Sequence, residues 1–192
     1  MATKEDLSEY LIAPDMSRSG LSRPVQGIDQ DGNPSAMSVI EERPLTIFLN
    51  AQEIVTAMTI GDYPEYLALG FLRNQGMLKD DSGVIGVSYD EDLETVVVRT
   101  ATQTTYEDKL KKKTRTSGCA VGTVFGDMME GLEDVQLPAL SVKTSWLYAL
   151  AAKINRTPSL YLDVGAIHGT VLCVEDRPLV YMEDVGRHNA VD

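Results

Sequence analysis

Two cysteines, two histidines, one tryptophan and three phenylalanines are thinly spread over 192 residues, and several classes of protein fall away on those scarcities alone. A pair of cysteines does not make a disulfide framework, so in a reducing compartment Cys119 and Cys173 are expected as free thiols, each to be judged by its surroundings. Positive charge is also short: 17 Lys and Arg stand against 29 Asp and Glu, a formal net charge of -12. General attraction to nucleic acid or to an anionic membrane surface is therefore not expected, and any anionic ligand must be captured locally. Long apolar runs are missing, and the N-terminal stretch MATKEDLSEYLIAPD has neither the basic start nor the apolar segment of a signal peptide, which predicts a cytoplasmic protein without a membrane span. What remains is a hydrophobic fraction of 43%, ordinary for a globular chain.

Along the chain, residues 1–40 mix Asp, Ser, Gly, Pro and Met without a sustained period, and the expectation there is a flexible N-terminal arm with little fold. From Pro44, Leu45, Ile47 and Leu49 alternate with Thr46, Phe48 and Asn50, a strand period. Asn50-Ala51 turns the chain into a second strand from Ile54 to Thr59. Asp62 and Glu65 have capping-box spacing around Pro64, and Tyr63, Leu67 and Phe71 share one face of a helix that Gly76 stops. Val84–Tyr89 and Leu93–Arg99 flank Asp90-Glu91-Asp92 as a hairpin, so the region to residue 100 reads ββαββ. A polar, basic connector follows, then a short helix from Cys119 through Met128 and Met129, and a boundary near Pro138. Ser141 is placed to cap a helix whose buried stripe is Val142, Trp146, Ala149 and Leu150, ahead of short strands near Leu160, Val171 and Val180.

Three places carry chemistry. Cys119 sits in RTSGCAVGT, between glycines and downstream of Lys109, Lys111, Lys112, Lys113 and Arg115. Nearby cations and a helix N-terminus both favour thiolate over thiol. The competing reading is a small core residue in a solvated basic loop. Cys173, in the alternating apolar run Gly169–Glu175, reads as structural. The segment Glu183–Asp192, EDVGRHNAVD, follows a strand and opens a helix. Gly186, Arg187, His188 and Asn189 there offer backbone and side-chain donors to a phosphate, although a tight connection capped by Asp184 and Asn189 explains the same spacing. His168, in a second glycine-flanked turn, joins them as a ligand-facing candidate.

Taken together, Glu42–Asn50 (ERPLTIFLN), Gly70–Leu72 with Gly76, the Arg115–Cys119 loop, Gly165–His168 and above all EDVGRHNAVD resemble the FdhD family of formate dehydrogenase accessory sulfurtransferases, in order, from about residue 40 to the end. The resemblance implies that a cysteine desulfurase loads sulfur on Cys119 as a persulfide. It implies that this sulfur passes to the molybdenum, or tungsten, of a bis(molybdopterin guanine dinucleotide) cofactor, bound as substrate and destined for formate dehydrogenase, with no structural metal. It further implies a homodimer and an α+β fold: a ββαββ subdomain over 41–138 with the Cys119 loop near its end, then over 139–192 the first part of a cytidine-deaminase-like α/β subdomain that stops short. Where the family often carries Cys-x-x-Cys, this chain has Gly122 in the fourth position, so a single thiol must suffice. A zinc deaminase would need His-x-Glu and Cys-x-x-Cys, and neither occurs. The other competing reading is a chaperone that delivers the pterin cofactor without sulfur chemistry.

Overall fold

A computed structural model describes residues 10–78, 83–101, 113–115, 123–125 and 136–192, and it divides the chain into two compact units. One comprises Arg43–Leu137 with Val191–Asp192, the other Met1–Glu42 with Pro138–Ala190. The fold mixes strands and helices, with strands in the majority.

In the first unit, β3 (Arg43–Leu49), β4 (Gln52–Thr59), α1 (Pro64–Asn74), β5 (Val84–Asp90) and β6 (Thr95–Thr100) follow the ββαββ order, after β1 (Ser22–Ile28) and β2 (Pro34–Ile40) of the other unit. The sheet order is β4-β3-β6-β5, with β3 and β6 parallel and the other pairs antiparallel. Alternation does what the sequence period requires: Leu45, Ile47, Leu49, Val96 and Val98 point to one face, where Leu67, Ala68, Phe71 and Leu72 of α1 complete the core. Asn50, in a left-handed conformation at the β3–β4 turn, ties that turn to β6: its Oδ1 accepts from the Thr100 amide at 2.9 Å and its Nδ2 donates to Thr100 Oγ1 at 3.0 Å. Gly76, at φ +67°, ends α1 in a Schellman arrangement, with the Met77 amide donating to the Leu72 carbonyl and the Gly76 amide to that of Arg73.

The start of α1 differs from the capping-box expectation. Proline disfavours helical backbone in the residue before it, so Tyr63 cannot open the helix. Pro64 becomes its first residue, Tyr63 the N-cap at φ 48°, and no side chain caps it.

Two short strands, β7 (Lys113–Arg115) and β8 (Thr123–Phe125), pair antiparallel with Arg115 opposite Thr123. The helix expected from Cys119 onward is therefore not helical at Thr123–Phe125, where a β-branched and aromatic triplet favours extended backbone.

In the second unit, the expectation of an unstructured arm is corrected. Residues 22–40 form the antiparallel hairpin of β1 (Ser22–Ile28) and β2 (Pro34–Ile40), closed by a turn in which the Asp29 carboxylate accepts from the amides of Asp31 and Asn33. Upstream of it, residues 10–12 lie alongside a later strand: a parallel bridge joins Ile12 to Val180. Helix α2 (Thr144–Ile154) starts three residues after Ser141. Its N-cap is Lys143, extended, whose ammonium stands 5.1 Å from the Trp146 ring centroid. None of its residues is buried; Val142 is exposed, and Trp146, Ala149 and Leu150 are only half-covered. Leu160 lies not in a strand but in the single turn α3 (Leu160–Asp163), because Ser159 Oγ accepts from the Leu162 amide and caps it. A hairpin of β9 (His168–Val174) and β10 (Arg177–Asp184) follows, then α4 (Arg187–Val191).

Candidate functional site

The end of β10 brings together most of the residues singled out from the sequence. In the β9–β10 register His168 stands opposite Asp184, so the Gly165–His168 turn and the Gly186–Asn189 turn share one end of the hairpin. Asp184 is buried, and its Oδ1 accepts from the Gly186 amide at 2.9 Å and from Asn189 Nδ2 at 3.1 Å. The Ala190 amide donates to the Gly186 carbonyl at 3.0 Å, which starts α4. At Gly186 a side chain would stand 3.1 Å from Asn189 Nδ2, so a residue without one lets Asn189 fold back over the turn.

This arrangement sorts the candidates. Gly186 and Asn189 spend donors on Asp184, so their role here is to hold the turn. Arg187, His188 and His168 are exposed at the same end of the hairpin and are the groups able to meet an anion from solvent.

Beside them lies a buried polar cluster that the sequence reading missed. Glu183 Oε2 accepts from the Leu160 amide at 2.7 Å; Oε1 accepts from the Tyr161 amide at 3.1 Å and the Tyr181 hydroxyl at 3.3 Å. Burial pushes the Glu183 carboxyl above its ordinary value, against these three donors, which favour the ionised form. Burial first, then the Glu183 charge, pushes the Tyr181 phenol up to about 12. Tyr10 reaches the same region: its hydroxyl lies 2.8 Å from Thr157 Oγ1, and its ring centroid is 6.2 Å from that of Tyr181. The backbone partners of Glu183 are 22 and 23 residues away in sequence, beyond the reach of any local pattern.

Cys173 is half-buried in β9; its thiol points to the Val171 carbonyl at 3.6 Å, and burial pushes its pKa up. Its raised pKa disfavours the thiolate, but the close packing expected of an apolar strand is not found: no residue of β9 is buried, and Leu172 and Val174 on either side are exposed. Cys119 lies outside the described residues, between β7 and β8 in sequence. Among the described residues no group of His, Cys, Asp and Glu is arranged to hold a metal ion, and no helix is long and apolar enough to cross a membrane.

Comparison with known proteins places this geometry in a family. The chain is 28% identical over 157 residues to a sulfur carrier protein FdhD of Bacillus subtilis (strain 168), a match covering 80% of this chain and 60% of that relative. It is 27% identical over 157 residues to the sulfur carrier protein FdhD of Wolinella succinogenes, covering 80% of this chain and 54% of the relative. The chain thus spans somewhat over half the length of these curated relatives. A crystal structure of a formate dehydrogenase accessory protein from Desulfotalea psychrophila has the same fold, with a TM-score of 0.65 at 24% identity over 88% of this chain and 63% of that one. The family model described as FdhD/NarQ matches residues 40–192, well over half of the sequence, and the chain belongs to the FdhD/NarQ family.

Proposed function

We propose that the protein is a sulfur carrier in the maturation of formate dehydrogenase, with Cys119 as the residue that bears the sulfur. The observation that carries this reading is the family match over residues 40–192, together with relatives described as sulfur carrier proteins. A cysteine desulfurase in the cytoplasm hands its outer persulfide sulfur to the Cys119 thiolate. A new S–S bond forms on Cys119 as the donor's S–S bond breaks and its thiolate leaves. The lysines and Arg115 upstream of Cys119 in the sequence support a thiolate there. Half-buried and shifted upward, Cys173 is no competitor.

The acceptor in this proposal is the molybdenum or tungsten of a bis(molybdopterin guanine dinucleotide) cofactor, held as substrate. Arg187, His188 and His168 supply the cationic and donor groups for its phosphates, and Gly186, Asn189 and Asp184 keep the turn in shape. The β9–β10 hairpin with α2 is read as the opening part of a deaminase-like subdomain in a homodimer.

The test is direct. Exposure to a cysteine desulfurase and cysteine should add one sulfur to the Cys119 peptide, removable by a reductant and absent in Cys119→Ser. With Gly122 in place of a second thiol nearby, the persulfide should be long-lived when no acceptor is present. Normal maturation of formate dehydrogenase with Cys119→Ser as the only accessory protein would replace this reading with that of a cofactor chaperone.

A further inference from the structure

The role just given to Asp184 leaves its neighbour Glu183 without one, although Glu183 is buried and spends both carboxylate oxygens on backbone amides of a different element. Ser159 takes the Leu162 amide, and Glu183 takes the first two amides of α3, which Ser159 leaves open, from a strand 22 and 23 residues further along the chain. Both amides that Glu183 holds belong to the residues from which the next turn hangs: the Gly165 amide donates to the Tyr161 carbonyl at 3.1 Å and to the Leu160 carbonyl at 3.3 Å. Gly165, at φ +71°, then leads to His168.

On its other side Glu183 adjoins Asp184, whose carboxylate closes the turn carrying Arg187 and His188. A third support comes from Tyr181, two residues back on the same face of β10. Its ring passes over Gly169, where a Cβ would stand 2.7 Å from Cε2, and its hydroxyl meets Glu183 Oε1. Glu183 is thus the covalent neighbour of one turn and the hydrogen-bonded anchor of the other.

We propose that Glu183 is a positioning residue: its carboxylate, by clasping Leu160 and Tyr161, fixes the turn that carries His168 relative to the turn that carries Arg187 and His188. The proposal rests on the reading of those three residues as the anion-facing set, but the clasp can be tested apart from it. In Glu183→Gln one accepting oxygen becomes an NH2 group, which cannot accept from an amide. Whichever way the side chain turns, Leu160 or Tyr161 loses its partner.

Amide exchange at Leu160 or Tyr161 and at Gly165 should then accelerate about tenfold, and affinity for GDP, the probe for the nucleotide portion, should fall about tenfold. In a His168→Ala background the same change should cost less than about twofold, because misplacing an absent imidazole has no further effect. Tyr181→Phe keeps both amides clasped and should stay within about twofold of wild type. Glu183→Asp withdraws the carboxylate by one methylene and should show the Glu183→Gln pattern in weaker form, which keeps the test available if the glutamine variant fails to fold.

Unchanged exchange at Leu160, Tyr161 and Gly165 in the Glu183 variants overturns the proposal, as does an equal loss of GDP affinity with and without His168. If wild-type protein does not bind GDP, or Arg187→Ala leaves its affinity unchanged, the ligand reading of the turns fails. The exchange result then decides the clasp by itself.

Discussion

In the unit of β3, β4, α1, β5 and β6 the described interior is one apolar cluster, with Leu45, Ile47, Leu72, Val96 and Val98 at 2% exposure or less. In the unit of β9 and β10 the buried set joins Leu21, Leu160, Ile167, Tyr181 and Ala190 to the polar Thr157, Ser159, Glu183 and Asp184, while α2 buries no residue at all. The first arrangement is held by dispersion and the hydrophobic effect, which tolerate small shifts and fail by opening cavities. The second adds directed hydrogen bonds to its apolar contacts, and these fix geometry more narrowly and fail by leaving buried donors without acceptors. On the function proposed above, a surface that presents Arg187, His188 and His168 in a set relation gains more from the second.

The comparison is sharpest where a large apolar residue is removed. Leu72→Ala in α1 deletes a side chain of 0% exposure and should destabilise the protein by about 3 kcal/mol, measured as a drop in the urea midpoint at unchanged slope. A loss below about 1 kcal/mol would mean that this core collapses around the gap and is not packed as described.

A smaller effect is expected where polar contacts replace apolar ones. Asp184→Ala removes the acceptor for the Gly186 amide and for Asn189 Nδ2, and should cost about 2 kcal/mol. Asp184→Asn, which can turn its carbonyl oxygen toward the Gly186 amide, should cost less than half of that. If alanine and asparagine behave alike, the hydrogen bonds contribute little and packing alone shapes the turn.

The polar unit should also respond to pH in a direction that an apolar core cannot show. Tyr181 is raised from 10.0 to about 12, so the folded state keeps a proton that the unfolded chain gives up. Its contribution to stability is complete below pH 10 and is lost as pH rises from 10 toward 12. Glu183 is raised from 4.5 as well, so by the same sign stability falls as pH climbs above 4.5 and through its folded-state value. Thermal melts across both ranges should show these slopes, with the alkaline one flattened in Tyr181→Phe and the acidic one in Glu183→Gln. Unflattened slopes would assign the titration to other groups.

The same contrast explains which parts were legible in the sequence. Period-two alternation from Leu45 to Leu49 and the helical spacing of Leu67 and Phe71 record burial on one face, and burial on one face is what the first unit has. The β1–β2 hairpin buries neither face, so no alternation marks it; only the turn residues Asp29, Gly32 and Asn33 do. The capping signal at Asp62 lies one residue before the N-cap that Pro64 sets at Tyr63, whereas Ser159 caps a single turn too short to show a period. Asp184 and Asn189 are legible as residues that cap a tight connection because they are five residues apart, while Glu183 needs the fold to bring Leu160 and Tyr161 to it.

The smallest effect should come from the outer face of α2, where Leu147 is 57% and Tyr148 75% exposed. Side chains in that position lose little contact with water on folding, so Leu147→Ser should change stability by no more than about 0.5 kcal/mol, mostly through helix propensity. The measurement is the urea midpoint at two protein concentrations a hundredfold apart. A loss above about 1.5 kcal/mol that grows with concentration would show Leu147 covered by another copy of the chain, since association stabilises by mass action and a monomer's midpoint does not depend on concentration. The second unit would then keep its shape by apolar contact between copies as well as by the polar clasps of Glu183 and Asp184.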